Sequence, residues 1–238
     1  MEFVKAKIKS IKSVGIKQTY DIEMPKQHSY IASTFVVHNS MGDGFGTVKY
    51  IAEILHKKGF KAAALTDHGT IGGVLDFQRA MLEKNLKPII GNEFYVSFPE
   101  DELHFERYHF VLLVKNQKGW ENMLKLHSLA VREGFYYKPI ITYAQVLEYH
   151  EGLILLTACS SSRVNKLIEH DKVAEAETLL CELKAVYQDD FYTELQPHNI
   201  DINQKVLKIL YELSQKLGIK SVITTDSHYP LAEDKKYH

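Results

Sequence analysis

Apolar and polar residues alternate in short stretches over the first 40 positions, which is the pattern of β-strands with one buried face. The stretches cover residues 4–8, 19–22, 30–32 and 35–37. Nothing in this part of the sequence repeats with the period of a helix. We therefore expect a short all-β segment, which ends at the glycine-rich turn of residues 40–44.

Beyond this turn the pattern changes, and strands alternate with helices. Val48, Ile51 and Leu55 recur on one helical face behind Thr47, which predicts a helix with a threonine N-cap. Two further helices are predicted, one around Val74, Phe77 and Met81 and one from Val206 to Leu217, closed by Gly218. Buried strands are predicted at residues 61–66, 88–96, 110–114, 153–157 and 221–225. Repeated strand and helix units indicate an α/β protein with a parallel sheet, either open or closed into a barrel.

The composition is that of a folded globular protein, since 45% of the 238 residues are apolar and 25% are charged. This length allows one or two domains. Lys and Arg number 29 against 30 Asp and Glu, so the net charge of −1 gives no reason to expect a broad basic face, and any nucleic-acid contact must be local. No apolar run approaches the roughly 18 residues of a membrane span, and no signal peptide opens the chain. We expect a cytoplasmic protein with no membrane partner.

Cysteine and histidine carry the remaining compositional information. Cys159 and Cys181 allow at most one disulfide, which favours a reducing compartment. The 12 histidines are unusual, because histidine is the commonest metal ligand and the usual general acid or base. Their positions point to two candidate sites, one at the turn near residue 40 and one in the α/β part.

The first candidate site has the residue types that a chain needs to cut and rejoin itself. The side-chain amide of Asn39 can attack its own main-chain carbonyl to form a succinimide, which breaks the bond to Ser40. The Ser40 hydroxyl can first accept the upstream chain as an ester. His38 and His28 can move protons and polarise the carbonyl that is cleaved. Alternatively, His-Asn-Ser is simply a polar turn that follows a strand.

Residues 19–40 resemble the C-terminal region of inteins, with a Tyr-Asp start, an internal histidine and a terminal His-Asn before a nucleophile. The resemblance implies that Asn39 cyclises, His38 assists it, His28 is the second histidine, Asp21 is a coordinating acid and Ser40 is the first extein residue. The N-terminal part of an intein does not fit before Asp21, so the resemblance implies the C-terminal half of a split intein. Its expected partner is a separately encoded N-terminal half, with which it splices in trans. Without that partner, isolated β-hairpins of this size are marginal in water.

The second candidate site lies in the α/β part, where polar residues follow apolar strands. Four residues come directly after such strands: His68, Cys159, Asp226 and His228. In a parallel barrel they converge on the carboxyl-terminal edge, where active sites form. Imidazole, thiolate and carboxylate together suit zinc, with manganese or magnesium favoured where oxygen ligands dominate. Asp67 either binds the metal or orients His68.

Each residue of this set also has a simpler interpretation. A lone histidine beside a strand, such as His68 or His109, is more often hydrogen-bonded within the fold. Cys159 alone is more often a small buried hydrophobic residue, and we expect this of Cys181, which lies on a predicted helix. We assign no role to Glu194 and His198, which are polar residues expected near the site.

Residues 40–238 resemble the PHP (polymerase and histidinol phosphatase) domain, in the form found in bacterial DNA polymerase III alpha subunits. The resemblance rests on residues 65–69, 88–96, 108–113, 155–159, 191–196 and 225–229. It implies a distorted (β/α)7 barrel, preceded by the all-β intein fragment of residues 1–39. It also adds Glu93, His109 and Asp43 to the metal ligands. His109 precedes its predicted strand, so the strand-end argument gives it no support.

The first motif of the family, His-x-His, is absent from this sequence. It belongs immediately upstream of Ser40, so we expect the extein of the intein partner to carry it and splicing to complete the metal site. The resemblance then implies a cluster of divalent metal ions (Zn, Mn or Mg) and a phosphoesterase activity, as a 3′-to-5′ proofreading exonuclease. DNA and other polymerase III subunits are the expected partners. The polymerase active site is expected outside this chain, whose end at His238 does not resemble a natural domain terminus.

Two other functions stay open from the sequence. A free-standing PHP phosphatase would act on a small phosphomonoester such as histidinol phosphate. A catalytically inactive PHP scaffold would only bind other polymerase subunits. The metal content after splicing distinguishes the scaffold from both enzymes. Whether the protein hydrolyses a DNA primer or a phosphomonoester distinguishes the two enzymes from each other.

Overall fold

The computed structural model describes residues 37–38, 46–99, 107–197, 201–225 and 227–237, which form an α/β half-barrel. Its strands are β1 (Val37–His38), β2 (Ala62–Leu65), β3 (Lys87–Ser97), β4 (Tyr108–Val114), β5 (Phe135–Tyr136), β6 (Lys138–Thr142), β7 (Leu153–Leu156), β8 (Phe191–Leu195) and β9 (Lys220–Ile223). Its helices are α1 (Val48–Lys57), α2 (Val74–Glu83), α3 (Gln117–Arg132), α4 (Tyr143–Glu148), α5 (Arg163–Glu169), α6 (Val173–Tyr187) and α7 (Asp201–Leu217).

The helices and strands predicted beyond residue 44 are all present in the structure. The strand bounds agree to within two residues, whereas α7 begins at Asp201 rather than at Val206. Thr47 is the N-cap of α1, as predicted, and its side chain accepts a hydrogen bond from the Tyr50 amide over 3.3 Å. Helix α1 forms because its buried residues lie on one face and its first free amide has a side-chain acceptor.

The predicted N-terminal all-β segment lies almost entirely outside the described residues. This holds for the stretches at residues 4–8, 19–22 and 30–32. Of the stretch at residues 35–37, only Val37 is described, and it belongs to β1. There Val37 pairs with Ala64 of β2, so this short strand lies at the edge of the α/β sheet.

The strand order across the sheet is β1, β2, β3, β4, β7, β8 and β9, and the β5–β6 hairpin is attached to β3 through β6. β1, β2 and β3 run parallel to one another, as do β7, β8 and β9. β4 lies between these two groups and is antiparallel to both β3 and β7. The prediction of a parallel sheet is therefore wrong at β4. Among the described residues, no backbone pairing joins β9 to β1 to close a barrel.

The central strands are buried on both faces, which explains their continuous apolar sequences. Phe110 and Leu112 of β4 belong to the main core, which α3, α5, α6 and α7 complete. Val111 and Leu113 alternate with them and form a smaller cluster on the opposite face of the strand. Helices α1 and α2 pack on β2 around a separate cluster that includes Phe77.

The position of Cys181 agrees with its prediction only in part. Cys181 lies on a helix, α6, as predicted, but it is exposed, so the expectation of a buried residue is wrong. Its position falls on the outer side of α6, away from the buried Leu179, Leu180 and Leu183.

In the part of the chain that the structure describes, no helix combines the length and the apolar composition that crossing a lipid bilayer requires.

A close backbone contact between α3 and the turn before β7 sets the position of β7. Gly119, in the first turn of α3, lies against Gly152, and a Cβ on Gly119 would be 1.8 Å from the Gly152 carbonyl oxygen. Asn116 caps the same helix by accepting a hydrogen bond from the Gly119 amide over 3.0 Å. A side chain at position 119 therefore does not fit unless β7, which leads to Cys159, moves.

We predict that Gly119→Ala destabilises the fold by about 2–3 kcal/mol, because the added methyl group overlaps a backbone atom that cannot rotate away. Urea unfolding followed by circular dichroism measures the change. Gly72→Ala is the matched control, since the nearest atom to a Cβ at Gly72 is Thr70 Oγ1 at 3.4 Å, an ordinary contact. Equal urea midpoints for the two variants would contradict the prediction.

Candidate metal centre

Three neighbouring parts of the sheet bring His68, Glu93 and His109 together. His68 lies beyond the end of β2 and forms a parallel bridge with Glu93 of β3. His109 lies near the start of β4, where its partner on β3 is Tyr95. The potential ligand atoms of His68, Glu93 and His109 all lie within 4.8 Å of one another, so these residues could hold a metal ion.

Glu93 occupies the centre of this group, and only 2% of its surface is exposed. Its Oε1 is 2.9 Å from His109 Nδ1, and its Oε2 is 3.5 Å from His68 Nδ1. Each carboxylate oxygen therefore faces one imidazole ring. When His109 carries a proton on Nδ1, it donates a hydrogen bond to Oε1.

Two opposing effects set the charge of Glu93. Burial raises the pKa of its carboxyl group, because a charge is unfavourable where water is excluded. The hydrogen bond from His109, the charges of His68 and His109 and the hydrogen bond from Cys159 act in the opposite direction. These interactions outweigh burial, so the pKa of Glu93 lies below its usual value. The carboxylate is therefore the form present at neutral pH, and it can serve as an anionic ligand.

Cys159 adds a fourth donor atom to the group. It follows β7, and its Sγ is 3.5 Å from Glu93 Oε1 and 3.4 Å from His109 Nδ1. The turn that carries it is held by Asn165, whose side-chain amide donates to the Cys159 carbonyl over 2.8 Å. Cys159 is not part of a disulfide and is only partly buried, in contrast to the simpler interpretation as a buried hydrophobic residue.

The direction of β4 explains why His109 belongs to this group although it precedes its strand. Because β4 is antiparallel to β3 and β7, its first residues lie at the sheet edge where β2 and β7 end. Val111 pairs with Leu156 at the end of β7, so His109 lies close to the turn that carries Cys159. The strand-end argument assumed parallel strands and therefore missed His109.

Tyr95 is a residue of this site to which sequence reasoning assigned no role. Its ring stacks on His68 with 5.7 Å between the ring centroids and meets the edge of His109 at 5.1 Å. Tyr95 is buried, with 6% of its surface exposed. The ring therefore restricts the orientations of both histidines. The alternating pattern of β3 could have indicated it, because Glu93 and Tyr95 point to the same face of the strand.

The other predicted ligands are not brought into this group within the described residues. His228 lies in the loop after β9 and is partly buried, but the group whose potential ligand atoms lie within 4.8 Å of one another does not include it. Asp226 and Asp43 lie outside the described residues. Asp67, next to His68, is buried with 6% of its surface exposed. These four assignments stay predictions.

The residues predicted to perform splicing also lie mainly outside the described part of the chain. This is true of Asp21, His28, Asn39 and Ser40. For His38 the structure gives the backbone position alone, in β1 opposite Leu65 of β2. Of the two polar residues to which we assigned no role, His198 lies outside the described residues and Glu194 is buried on β8.

The chemistry of the donor set fits a divalent metal ion. Two imidazoles, a carboxylate and a thiol are the side chains that bind zinc in proteins, and the nitrogen and oxygen donors also suit manganese. His68 and His109 are largely buried, with 17% and 14% of their side chains exposed, so water competes little for their nitrogens.

Comparison with known proteins shows the same α/β domain elsewhere. Residues 37–198 match the family described as PHP domain. The chain is 33% identical over 211 residues to DNA polymerase III subunit alpha of Helicobacter pylori strain J99, which covers 83% of this chain and 17% of that protein. It is 34% identical over 210 residues to the same subunit of Aquifex aeolicus, and this match covers 84% of this chain and 18% of that protein. The chain thus spans less than a fifth of the length of these relatives.

A solved structure supports the fold assignment. An amidohydrolase from Chromobacterium violaceum, determined with bound sulfate and no metal, superimposes with a TM-score of 0.54. The match covers 84% of this chain and 89% of that one at 14% sequence identity. At this identity the similarity concerns the fold alone.

We predict that His109→Gln lowers the affinity of the chain for Zn²⁺ at least tenfold, because it removes an imidazole from a set of four donors. Titration calorimetry of the metal-free chain with Zn²⁺ measures the effect. The matched control is His170→Gln, since His170 is exposed at the end of α5 and should leave the affinity unchanged. Equal Zn²⁺ affinities for the two variants would show that His109 is not a ligand.

Proposed function

The chain belongs to the PHP domain family, and from this premise we propose that residues 40–238 form the PHP domain of a DNA polymerase III alpha subunit that hydrolyses phosphoesters with bound divalent metal ions. The observation that carries the proposal is the group formed by His68, Glu93 and His109, whose potential ligand atoms lie within 4.8 Å of one another. The names of the similar proteins support the assignment to the alpha subunit. Because those relatives are several times longer, we place the polymerase active site outside this chain.

We propose that the complete centre has more ligands than His68, Glu93, His109 and Cys159. Asp43, Asp226 and His228 are assigned to it because their motifs match those of the family. The remaining ligands are a His-x-His pair that this sequence lacks. When bound, divalent ions supply Lewis-acid polarisation of a phosphoryl oxygen and activation of water.

The residues of the chain prepare this chemistry in three ways. Glu93 provides a buried negative charge, which favours the binding of cations over that of neutral ligands. Tyr95 restricts the rings of His68 and His109, so their nitrogens need little reorientation on binding. Cys159 is only partly buried and lies on a turn, so we place the open side of the centre next to it. A phosphoester can therefore approach along that side.

For the substrate, we propose the 3′-terminal phosphodiester of a DNA primer, which the centre would remove as a proofreading exonuclease. The support is the similarity to subunits whose names place them in DNA replication. The near-zero net charge of −1 agrees with a site that holds a strand end locally rather than with a protein that coats duplex DNA.

We also propose that residues 1–39 are the C-terminal half of a split intein, on the evidence of their sequence motif. The upstream chain is transferred as an ester to the Ser40 hydroxyl. The Asn39 side-chain nitrogen then attacks the Asn39 carbonyl carbon, which forms a succinimide and frees the Ser40 amine. That amine takes the acyl group from the ester oxygen, and a normal peptide bond results. Asp21, His28 and His38 serve as acid and base groups.

The position of β1 connects the two proposals. Residues 37–38 lie beside β2 at the edge of the sheet, immediately upstream of the proposed junction at Ser40. After splicing, the C-terminal residues of the partner's extein would occupy this sequence position. If these residues carry the His-x-His pair, the strand beside β2 delivers it next to His68.

We predict that the spliced product, supplied with Mn²⁺ or Zn²⁺, shortens a 5′-labelled primer stepwise from its 3′ end. Glu93→Gln should reduce the rate at least a hundredfold, because it removes the anionic ligand at the centre. Glu148→Gln, at an exposed position at the end of α4, is the matched control and should keep the wild-type rate. Gel electrophoresis of the primer measures both variants.

Two results of this experiment would exclude the exonuclease. Hydrolysis of a phosphomonoester such as histidinol phosphate without cleavage of the primer would indicate a free-standing phosphatase. A spliced product that contains no metal and hydrolyses neither substrate would indicate a scaffold. The unspliced chain should be at least tenfold slower than the spliced product, since it lacks two ligands.

We predict that trans-splicing is visible in the tryptic peptides that contain Ser40. The unspliced chain yields the intact peptide from Gln27 to Lys49, since trypsin cleaves after Lys26 and Lys49. Splicing instead joins residues 40–49 to foreign residues, which we expect to end in His-x-His. Mass spectrometry of lysate from the native organism detects both peptides.

Variants at the junction distinguish splicing from other processing. Asn39→Ala should abolish the joined peptide, because alanine has no side-chain amide to form the succinimide. Ser33→Ala is the control, since the resemblance assigns no role to Ser33, and it should leave the joined peptide unchanged. Detection of the intact peptide alone, in cells that demonstrably contain the partner half, would show that the intein is inactive.

A further inference from the structure

Three consecutive aromatic residues form an exposed tip on the β5–β6 hairpin. Phe135, Tyr136 and Tyr137 have 62%, 46% and 81% of their surfaces exposed. Tyr136 pairs with Lys138 across the hairpin, which leaves Tyr137 at the turn. The rings of Tyr136 and Tyr137 meet edge to face with 4.8 Å between their centroids. Aromatic side chains bury large apolar surfaces when they can, so three of them together in solvent suggest a ligand with flat apolar faces.

The backbone of Tyr137 shows that the turn was not optimised for stability. Its φ is +59°, in the left-handed region that glycine and asparagine adopt most readily. A bulky residue in this region is unfavourable, because its Cβ crowds the backbone. The turn therefore keeps a large aromatic ring at its outermost position although a small residue would suit the backbone better. Such a conflict between stability and residue choice is typical of binding surfaces.

The hairpin borders the metal centre directly. The Lys138 ammonium donates a hydrogen bond to the Tyr95 hydroxyl over 2.8 Å, and Tyr95 is the ring that stacks on His68. Gly69 follows His68, and a Cβ at Gly69 would be 2.7 Å from Pro139 Cγ. The loop that carries His68 is thus packed against β6, with no space for a side chain between them. A ligand on the hairpin tip can extend into the metal centre.

Two cations lie close to the hairpin, one at an exposed ring of the tip and one at the buried ring of Tyr95. The Arg107 guanidinium donates to the Tyr136 carbonyl over 2.7 Å and lies 5.7 Å from the centre of the Tyr136 ring. The Lys138 ammonium lies 4.5 Å from the centre of the Tyr95 ring. Cations next to exposed aromatic rings are the combination that binds single-stranded nucleic acid, because the bases stack on the rings and the cations neutralise the phosphates.

We propose that the β5–β6 hairpin is a stacking platform for unpaired bases of single-stranded DNA and that it positions the 3′-terminal phosphodiester at the metal centre. This inference rests on the proposed function, because that function supplies the phosphoester substrate. The tip stacks one or two bases on Tyr136 and Tyr137. Arg107 contacts the tip at Tyr136, and Lys138 contacts Tyr95, which stacks on His68. The platform would thus supply the local contact with nucleic acid that we expect of a chain with a net charge of −1.

Fluorescence anisotropy with a labelled oligothymidylate of 12 nucleotides, at low salt and without added metal, tests the platform. The informative variant is Tyr137→Asn, because asparagine tolerates the left-handed turn. We expect Tyr137→Asn to bind the oligonucleotide about tenfold more weakly, the effect of losing one stacked base. Its urea midpoint should equal or exceed that of the wild type. Tyr137→Phe keeps the ring and should bind as the wild type does.

A double variant on α2 is the control for a general loss of exposed apolar surface. Leu75 and Leu82 on α2 have 63% and 58% of their surfaces exposed, and the double change Leu75→Ala with Leu82→Ala should leave binding unchanged. Wild-type affinity in Tyr137→Asn, equal losses in the α2 variant, or no binding by the wild-type chain would each overturn the proposal. Wild-type binding by Tyr137→Asn would leave docking of a protein subunit as the role of the tip.

The same variants separate this inference from the proposed function. Zn²⁺ titration should give the wild-type affinity for Tyr137→Asn, since Tyr137 touches none of the four donors in the described structure. His109→Gln should bind oligothymidylate normally while it loses Zn²⁺. Normal binding of DNA by a wild-type chain that binds no Zn²⁺ would refute the phosphoesterase and leave the platform intact. Loss of metal and DNA together in Tyr137→Asn would contradict the separation of the two roles.

Discussion

The buried carboxylate of Glu93 is the interaction on which the arrangement of this half-barrel depends. An ionised group with almost no exposed surface is tolerated only where donors or cations face it. Its partners come from three separate parts of the chain, namely His68 beyond β2, His109 near the start of β4 and Cys159 beyond β7. The contacts that offset the burial of this charge therefore also fix the relative positions of four strands and leave four potential ligands at one edge.

This constraint explains the one antiparallel strand in the main sheet and the tyrosine beside it. If β4 ran parallel to its neighbours, His109 would lie at the opposite edge from the ends of β2 and β7. Tyr95 then links the centre to the hairpin, because its ring contacts both histidines and its hydroxyl accepts a hydrogen bond from Lys138. The candidate metal centre and the exposed aromatic tip at Tyr137 thus lie in adjacent parts of the fold.

The sequence by itself determined the elements and most of the chemistry of the α/β part. The helical spacing of Val48, Ile51 and Leu55 and the threonine before them defined α1, because capping and amphipathic burial are local properties. Continuous apolar stretches located the buried strands for the same reason. His68 and Cys159 were found from their positions directly after such strands. Glu93 and His109 came from the family resemblance alone, since nothing local distinguishes them.

The tertiary structure decided which of these residues meet. The direction of β4 is not encoded in its alternation of side chains, because a strand has the same period whether it pairs parallel or antiparallel. Only the assembled sheet therefore places His109 beside Cys159 and gives Tyr95 its contacts with both histidines. The exposure of Cys181 and of the aromatic hairpin is also a tertiary property, since it depends on which faces the neighbouring elements cover. Local sequence specifies the donors, and strand pairing specifies the centre.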